Sequence, residues 1–164
     1  MRTAVIDSTP LINLVHLELV TELSVFFDII YVPRHVQTEV NRKHRFRYLL
    51  RDLLDRSILQ RCATADRTNV ALLRLEIDEG EAEALIQAQE KGAAFFIGDD
   101  KRAREIAEAQ GLKSVGTVGI LARLELEGRA DETMLLVKEL RVRFDFRVSD
   151  EVVAQAIAMA IEPL

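Results

Sequence analysis

Thr3-Ala4-Val5-Ile6-Asp7-Ser8-Thr9-Pro10 is a short apolar run that ends on an acid and passes at once into hydroxyls and a proline. The run is short and rich in apolar residues, which reads as a fully buried strand. A hydroxyl at the N-cap and Pro10 at the first helical position then predict a helix. Leu11, Leu14, Val15, Leu19 and Leu23 follow at helical spacing. The same order returns at Phe95-Phe96-Ile97-Gly98-Asp99-Asp100, just ahead of Lys101. Open α/β sheets keep their active crevice at the carboxyl ends of their strands. Asp7 and Asp99 therefore fall where such a sheet does its chemistry.

Outward from these two segments, Ile29-Ile30-Tyr31-Val32 reads as a second strand stopped by Pro33, with a highly charged helical stretch running to about Leu59. Ile58 to Cys62 is a weaker third strand, and Asn69 to Ile77 a short helix. An Ala-rich helix from Glu81 to Lys91 meets Gly92, a natural C-terminal stop. After the Ala93–Ile97 strand come a helix over 101–110, a last strand over 114–117, and helices over about 118–127, 131–144 and 149–161. Strands alternating with helices imply βαβ crossovers and a parallel sheet covered on both faces. No linker, repeat or low-complexity tract interrupts the pattern, so residues 1–164 are expected to form a single domain with the helices of about 131–161 packed on it.

No segment carries the roughly 18 uninterrupted apolar residues of a membrane span, and the N-terminus lacks a signal-peptide layout. The single cysteine, Cys62, excludes an internal disulfide and fits a reducing cytoplasm. A net charge of −5 argues against a generic nucleic-acid binder. The balance is uneven, however. Between Asn41 and Arg61 seven Arg or Lys face two acids, a local +5 that leaves −10 for the remainder. An acidic body with one basic stripe suits a polyanion held beside an acidic metal site, and a solvated helix face explains the stripe equally well.

Each acid has an ordinary alternative. Asp7 caps helices well, yet Ser8 and Thr9 already supply that service. Glu39 stands four residues before Lys43, the spacing of a surface ion pair, although its flanking valines suggest a face not wholly in water. Asp78, Glu79, Glu81 and Glu83 cluster where acids favour the positive end of a helix. Glu81 and Glu83 project about 200° apart and cannot both face one ion; Glu81 is the first choice. Capping explains one of Asp99 and Asp100 and leaves the other, with Asp99 the better ligand and Asp100 suited to metal-bound water or a second ion. Four carboxylates at one sheet edge repel unless a divalent cation joins them, and acid-only ligation favours Mg²⁺ or Mn²⁺. Nucleotide-loop, zinc and serine-hydrolase fingerprints are absent from the sequence.

Residues 5–12, Val32-Pro33 with Val36 to Val40, Gly80 to Ala84, Ile97 to Arg104, Gly116 to Leu121 and the tail from Leu140 to Val153 together resemble a PIN domain, in particular its VapC-like prokaryotic branch. The resemblance covers essentially the whole chain. It implies a three-layer α/β fold with a central parallel sheet of about four to five short strands flanked by helices. It carries the family's acid quartet onto Asp7, Glu39, Glu81 and Asp99, and a supporting hydroxyl onto Ser8 or Thr9. Glu81 stands where many of the family's toxins have Asp, and Gly98 replaces a polar residue.

What the resemblance implies is a Mg²⁺- or Mn²⁺-dependent endoribonuclease of the cytoplasm, the toxin of a toxin–antitoxin pair whose small antitoxin enters the cleft. Arg42, Lys43, Arg45, Arg47, Lys101 and Arg104 are the expected phosphate contacts, with neutralisation of Asp99 and Asp100 the alternative for the last two. The rival expectations are a PIN-like RNA- or protein-binding regulatory module with vestigial catalysis, and a flap or single-strand DNA nuclease. Residues 124–126 and the apolar side of the last helix suit either a homodimer or an internal core.

Overall fold

A computed structural model describes all residues except 43, 65 and 163, and the side chains of residues 44 and 45. Five parallel strands, β1 (Thr3–Ile6), β2 (Ile29–Pro33), β3 (Gln60–Cys62), β4 (Phe95–Ile97) and β5 (Lys113–Val115), form one sheet in the order β3-β2-β1-β4-β5. β1 is central, pairing Ala4 with Ile30 on one side and with Phe95 on the other. The helices are α1 (Ser8–His16), α2 (Arg34–Arg42), α3 (His44–Asp55), α4 (Arg67–Leu73), α5 (Glu79–Lys91), α6 (Lys101–Ala109), α7 (Thr117–Leu126), α8 (Thr133–Phe144) and α9 (Asp150–Met159).

Strand side chains alternate between faces, and the core divides accordingly. Ala4, Ile6, Phe95 and Ile97 pack with α1, α2, α3, α7, α8 and α9 through residues such as Leu11, Val36, Leu50, Ile120 and Leu140. Val5 and Phe96 face the other way, toward Leu85 of α5 and Ala103 and Ala107 of α6. The expected parallel sheet between helical layers is the observed one.

Several boundaries differ. Asp7, not a hydroxyl, is the N-cap residue of α1, and Pro10 is the third residue of that helix. α1 ends at His16, because Glu18 takes a left-handed φ of 60°; Leu23 is nonetheless fully buried, from a 3₁₀ turn over Val20–Val25. The charged helix stops at Asp55, with Ser57 at φ 58° turning the chain into β3. α4 starts at Arg67, two residues earlier than its periodicity suggested, because Asp66 accepts a hydrogen bond from the Asn69 amide and caps it. Gly92 ends α5 at φ 60°, as expected. Leu124 is buried in the core, whereas Leu126 is exposed. No described helix is long and apolar enough to cross a membrane.

Candidate metal centre

Asp7 and Asp99 stand at the carboxyl ends of neighbouring strands, where the Asp7 amide donates to the Ile97 carbonyl at 2.9 Å. Asp7 is buried, and its carboxylate makes no capping hydrogen bond. Burial pushes its carboxyl up to about 7; the Ser8 amide pulls the other way, while the charges of Glu81, Asp78 and Glu39 add to the rise. Those three carboxylates thus share the electrostatic environment of Asp7 although they come from three distant parts of the chain.

Glu81 opens α5 in a reciprocal capping box. The Asp78 carboxylate accepts from the Glu81 amide at 2.9 Å, and the Glu81 carboxylate accepts from the Asp78 amide at 3.2 Å. Glu81 is pushed up to about 7, chiefly by burial and then by the charge of Asp78, against the pull of the Asp78 amide, with Asp100 adding to the rise. Asp78, Glu81 and Asp100 line an open cleft of about 510 Å³ together with Arg74, Glu76 and Arg102. Arg102 is bonded to Glu76, tying the start of α6 to the segment after α4 across this cleft. Glu83 projects elsewhere and is held by Arg67 at 2.5 Å, which separates it from Glu81 as the helical angle requires.

Glu39 is half-exposed on α2, 3.9 Å from the His35 ring nitrogen. His35 in turn packs against Gly80, where a Cβ would lie 2.7 Å from its ring. That close approach brings α2 against the start of α5, and with it Glu39 toward Asp7. Asp100 caps α6, accepting from the Ala103 amide at 2.8 Å, while its neighbour is used differently. The Asp99 carboxylate accepts from the Thr117 amide at 2.7 Å and from the Thr117 hydroxyl at 2.6 Å. The buried Asn13 amide donates to that same hydroxyl at 3.3 Å, so the hydroxyl proton is left for Asp99. Burial raises the Asp99 carboxyl despite these donors and the nearby Arg104 guanidinium.

The sheet edge therefore gathers the predicted acids at the level of the backbone, while their carboxylates divide. Asp7, Glu39, Glu81 and Asp100 belong to one electrostatic cluster, and Asp99 is committed to the first residue of α7. Among the described residues no three His, Cys, Asp or Glu side chains stand close enough to hold one ion. The donor set nevertheless fits a hard cation. It is all oxygen, two of its buried carboxyls titrate near 7, and the buried Ser8 hydroxyl beside Asp7 has no hydrogen-bond partner. Thr9, the other expected hydroxyl, is exposed.

Of the expected phosphate contacts, Arg42 and Arg47 are exposed. Lys101 pairs with Glu105 at 3.9 Å. Arg104 spends one nitrogen on the carbonyls of Gly98 and Asp99. Lys43 and the side chain of Arg45 lie outside the described residues. Sequence reasoning missed Asp78, set aside as punctuation, and missed Asn13 and Thr117, whose roles depend on a contact between residues 104 positions apart.

A family model described as DUF3368, a PIN domain, matches residues 3–162. No curated protein matches the chain.

Proposed function

We propose, from the premise that this chain belongs to the PIN-domain family, that it is a divalent-metal-dependent endoribonuclease and the toxin of a toxin–antitoxin pair. PIN domains are generally metal-dependent nucleases, and the RNA substrate, the small antitoxin and a cytoplasmic setting are our additions. The observation that carries the reading is the pair of buried carboxyls, Asp7 and Glu81, gathered from distant parts of the chain with Asp78, Glu39 and Asp100 around them. A fold does not keep uncompensated like charges together without a cost, and a counter-ion removes that cost.

Asp7, Glu39, Glu81 and either Asp99 or Asp100 would hold Mg²⁺ or Mn²⁺. When bound, such an ion polarises a phosphate oxygen and makes water a competent nucleophile near neutral pH. The chain's own residues supply the rest. Glu81 lines the cleft, and the Asp78 amide fixes one of its oxygens so that the other stays available, while Asp7 lies buried within reach of its charge. Ser8 offers a hydroxyl beside Asp7, and Arg42 and Arg47 offer exposed cations for flanking phosphates.

A second reading is favoured by one observation: the Asp99 carboxylate is already satisfied by Thr117. A chain that keeps Asp99 there would bind RNA or a protein partner without turnover. Thermal-shift titration with Mn²⁺ on wild type and Asp7→Asn, followed by cleavage assays on RNA, single-stranded DNA and flap DNA, separates the readings. Stabilisation and RNA cleavage in wild type alone support the ribonuclease. Undiminished cleavage by Asp7→Asn rules out this centre.

A further inference from the structure

A second cavity, of about 360 Å³, shares Asp99 with the site above but includes none of Asp78, Glu81 or Asp100. Its volume falls in the roughly 300–1,000 Å³ range of small-molecule sites. Three guanidiniums line it, those of Arg104, Arg123 and Arg147. Two are fixed by main-chain carbonyls. Arg104 donates to the carbonyls of Gly98 at 3.1 Å and Asp99 at 2.7 Å. Arg123 donates to those of Gly119 at 3.1 Å and of Met159 and Glu162, each at 3.2 Å.

Carbonyls orient a guanidinium without neutralising it, so Arg104 and Arg123 are held in place and keep their charge, Arg104 close to Asp99. Two acids line the same cavity, and both already accept hydrogen bonds: Asp99 from Thr117, and Glu108 from Ser114 at 2.5 Å. Arg147, the exposed third guanidinium, pairs with Asp145 at 3.2 Å. Gly116 and Gly119 keep the seat of the guanidiniums clear, since a Cβ on either would lie 3.4 Å from Arg104 or Arg123 and 2.9 Å from Asp99 or Val115.

Part of the lining is apolar. Phe146, Val152 and Met159 contribute to it, and the last two are 43% and 56% exposed. An occupant that joins an anionic group to a flat or apolar body matches both parts of this lining.

The geometry points to this cavity as a nucleotide-binding site, with the phosphate on Arg104, Arg123 and Arg147 and the base against Phe146, Val152 and Met159. The assignment rests on the nuclease reading, because the guanidinium of Arg104 is bonded to the very turn that carries Asp99. The nucleotide is either one unit of the substrate strand or a free effector.

Calorimetric titration of the full chain in chelator, with adenosine 5′-monophosphate, adenosine and inorganic phosphate as probes, tests it. The monophosphate is expected to bind saturably, and the two half-ligands at least about tenfold more weakly. Arg147→Ala and Met159→Asp, both at exposed positions, are each expected to weaken the monophosphate about tenfold while leaving Mn²⁺-induced stabilisation intact. No saturable binding, equal binding of phosphate alone, or affinity unchanged in both variants overturns the proposal. In the Asp7→Asn background, displacement of a labelled RNA oligonucleotide by the monophosphate assigns the cavity to the strand, and simultaneous binding assigns it to a free nucleotide. Mn²⁺ stabilisation of wild type but not Asp7→Asn reports on the acid centre by itself, so failure of either reading is seen separately.

Discussion

Asp7 and Glu81 bind protons more tightly in the folded chain than in the unfolded one, since both are raised to about 7. The sign follows. Between the ordinary carboxyl range and pH 7 the unfolded chain has released these protons and the folded chain has not. The metal-free protein is therefore most stable below about pH 4 with respect to these groups, and loses that contribution as pH rises to about 7, by at most about 4 kcal/mol for Asp7 and by less for the more open Glu81. Urea midpoints measured from pH 4 to 8 in chelator should fall accordingly, and added Mn²⁺ should remove most of the fall. Asp7→Asn should be more stable than wild type at pH 8 without metal and should respond little to Mn²⁺. Thr117→Val removes the hydroxyl from Asp99 and strands the Asn13 amide, so it should cost about 2–3 kcal/mol, whereas Thr117→Ser should cost much less; chemical denaturation checks both. The chemistry of Asp7 was legible from its place after a strand. Thr117 was not, because nothing in the spacing of residues 13, 99 and 117 says that they meet.

Helix starts hold most of this site together. Asp78 both caps α5 and pushes the Glu81 carboxyl upward, and substitution separates the two effects. Asp78→Asn keeps a good cap and removes the charge, so the Glu81 carboxyl should move back toward the ordinary range with little change in stability. Asp78→Ala should also lose about 1 kcal/mol of helix stability. A carboxyl titration followed by NMR, paired with thermal unfolding, distinguishes them. Gly98 has a different necessity: a Cβ there would run into the ring of the fully buried Phe96. Gly98→Ala is expected to destabilise by about 1–3 kcal/mol through overpacking, with partial rescue by Phe96→Leu in a double-mutant cycle. The glycine that looked like a departure from the family pattern is thus demanded by Phe96 of the strand it follows. Periodicity located nearly every element, and it erred where a turn residue intervened. Glu18 cut α1 short, and Asp66 started α4 early, because single caps and left-handed residues outweigh a repeating pattern at its ends.

Across the whole molecule, charge is divided between an acidic sheet edge and a basic stretch on α2 and α3. Arg51 and Arg56 of that stretch are spent on Asp55 and Asp52, whereas Arg42 and Arg47 are exposed. RNA affinity in the Asp7→Asn background should fall steeply with salt. Arg47→Ala should reduce the slope of log K against log salt by about 0.7, one single-strand phosphate contact, while Arg51→Ala should change it less; filter binding over a salt series reads both. The sequence by itself determined the parallel α/β sheet, the strand ends that carry Asp7 and Asp99, and the divergence of Glu81 and Glu83 on one helix. Strand alternation, helical angle and the breaking power of glycine and proline are local rules, and they act before the chain has closed on itself. Only the tertiary structure decided which carboxylates share a cleft. It placed Asp100 beside Glu81, turned Asp99 onto Thr117, drew Asp78 into the acid cluster, and opened a cavity of arginines behind the same turn. Those outcomes depend on burial and on contacts between residues far apart in sequence, and neither exists until the layers have packed.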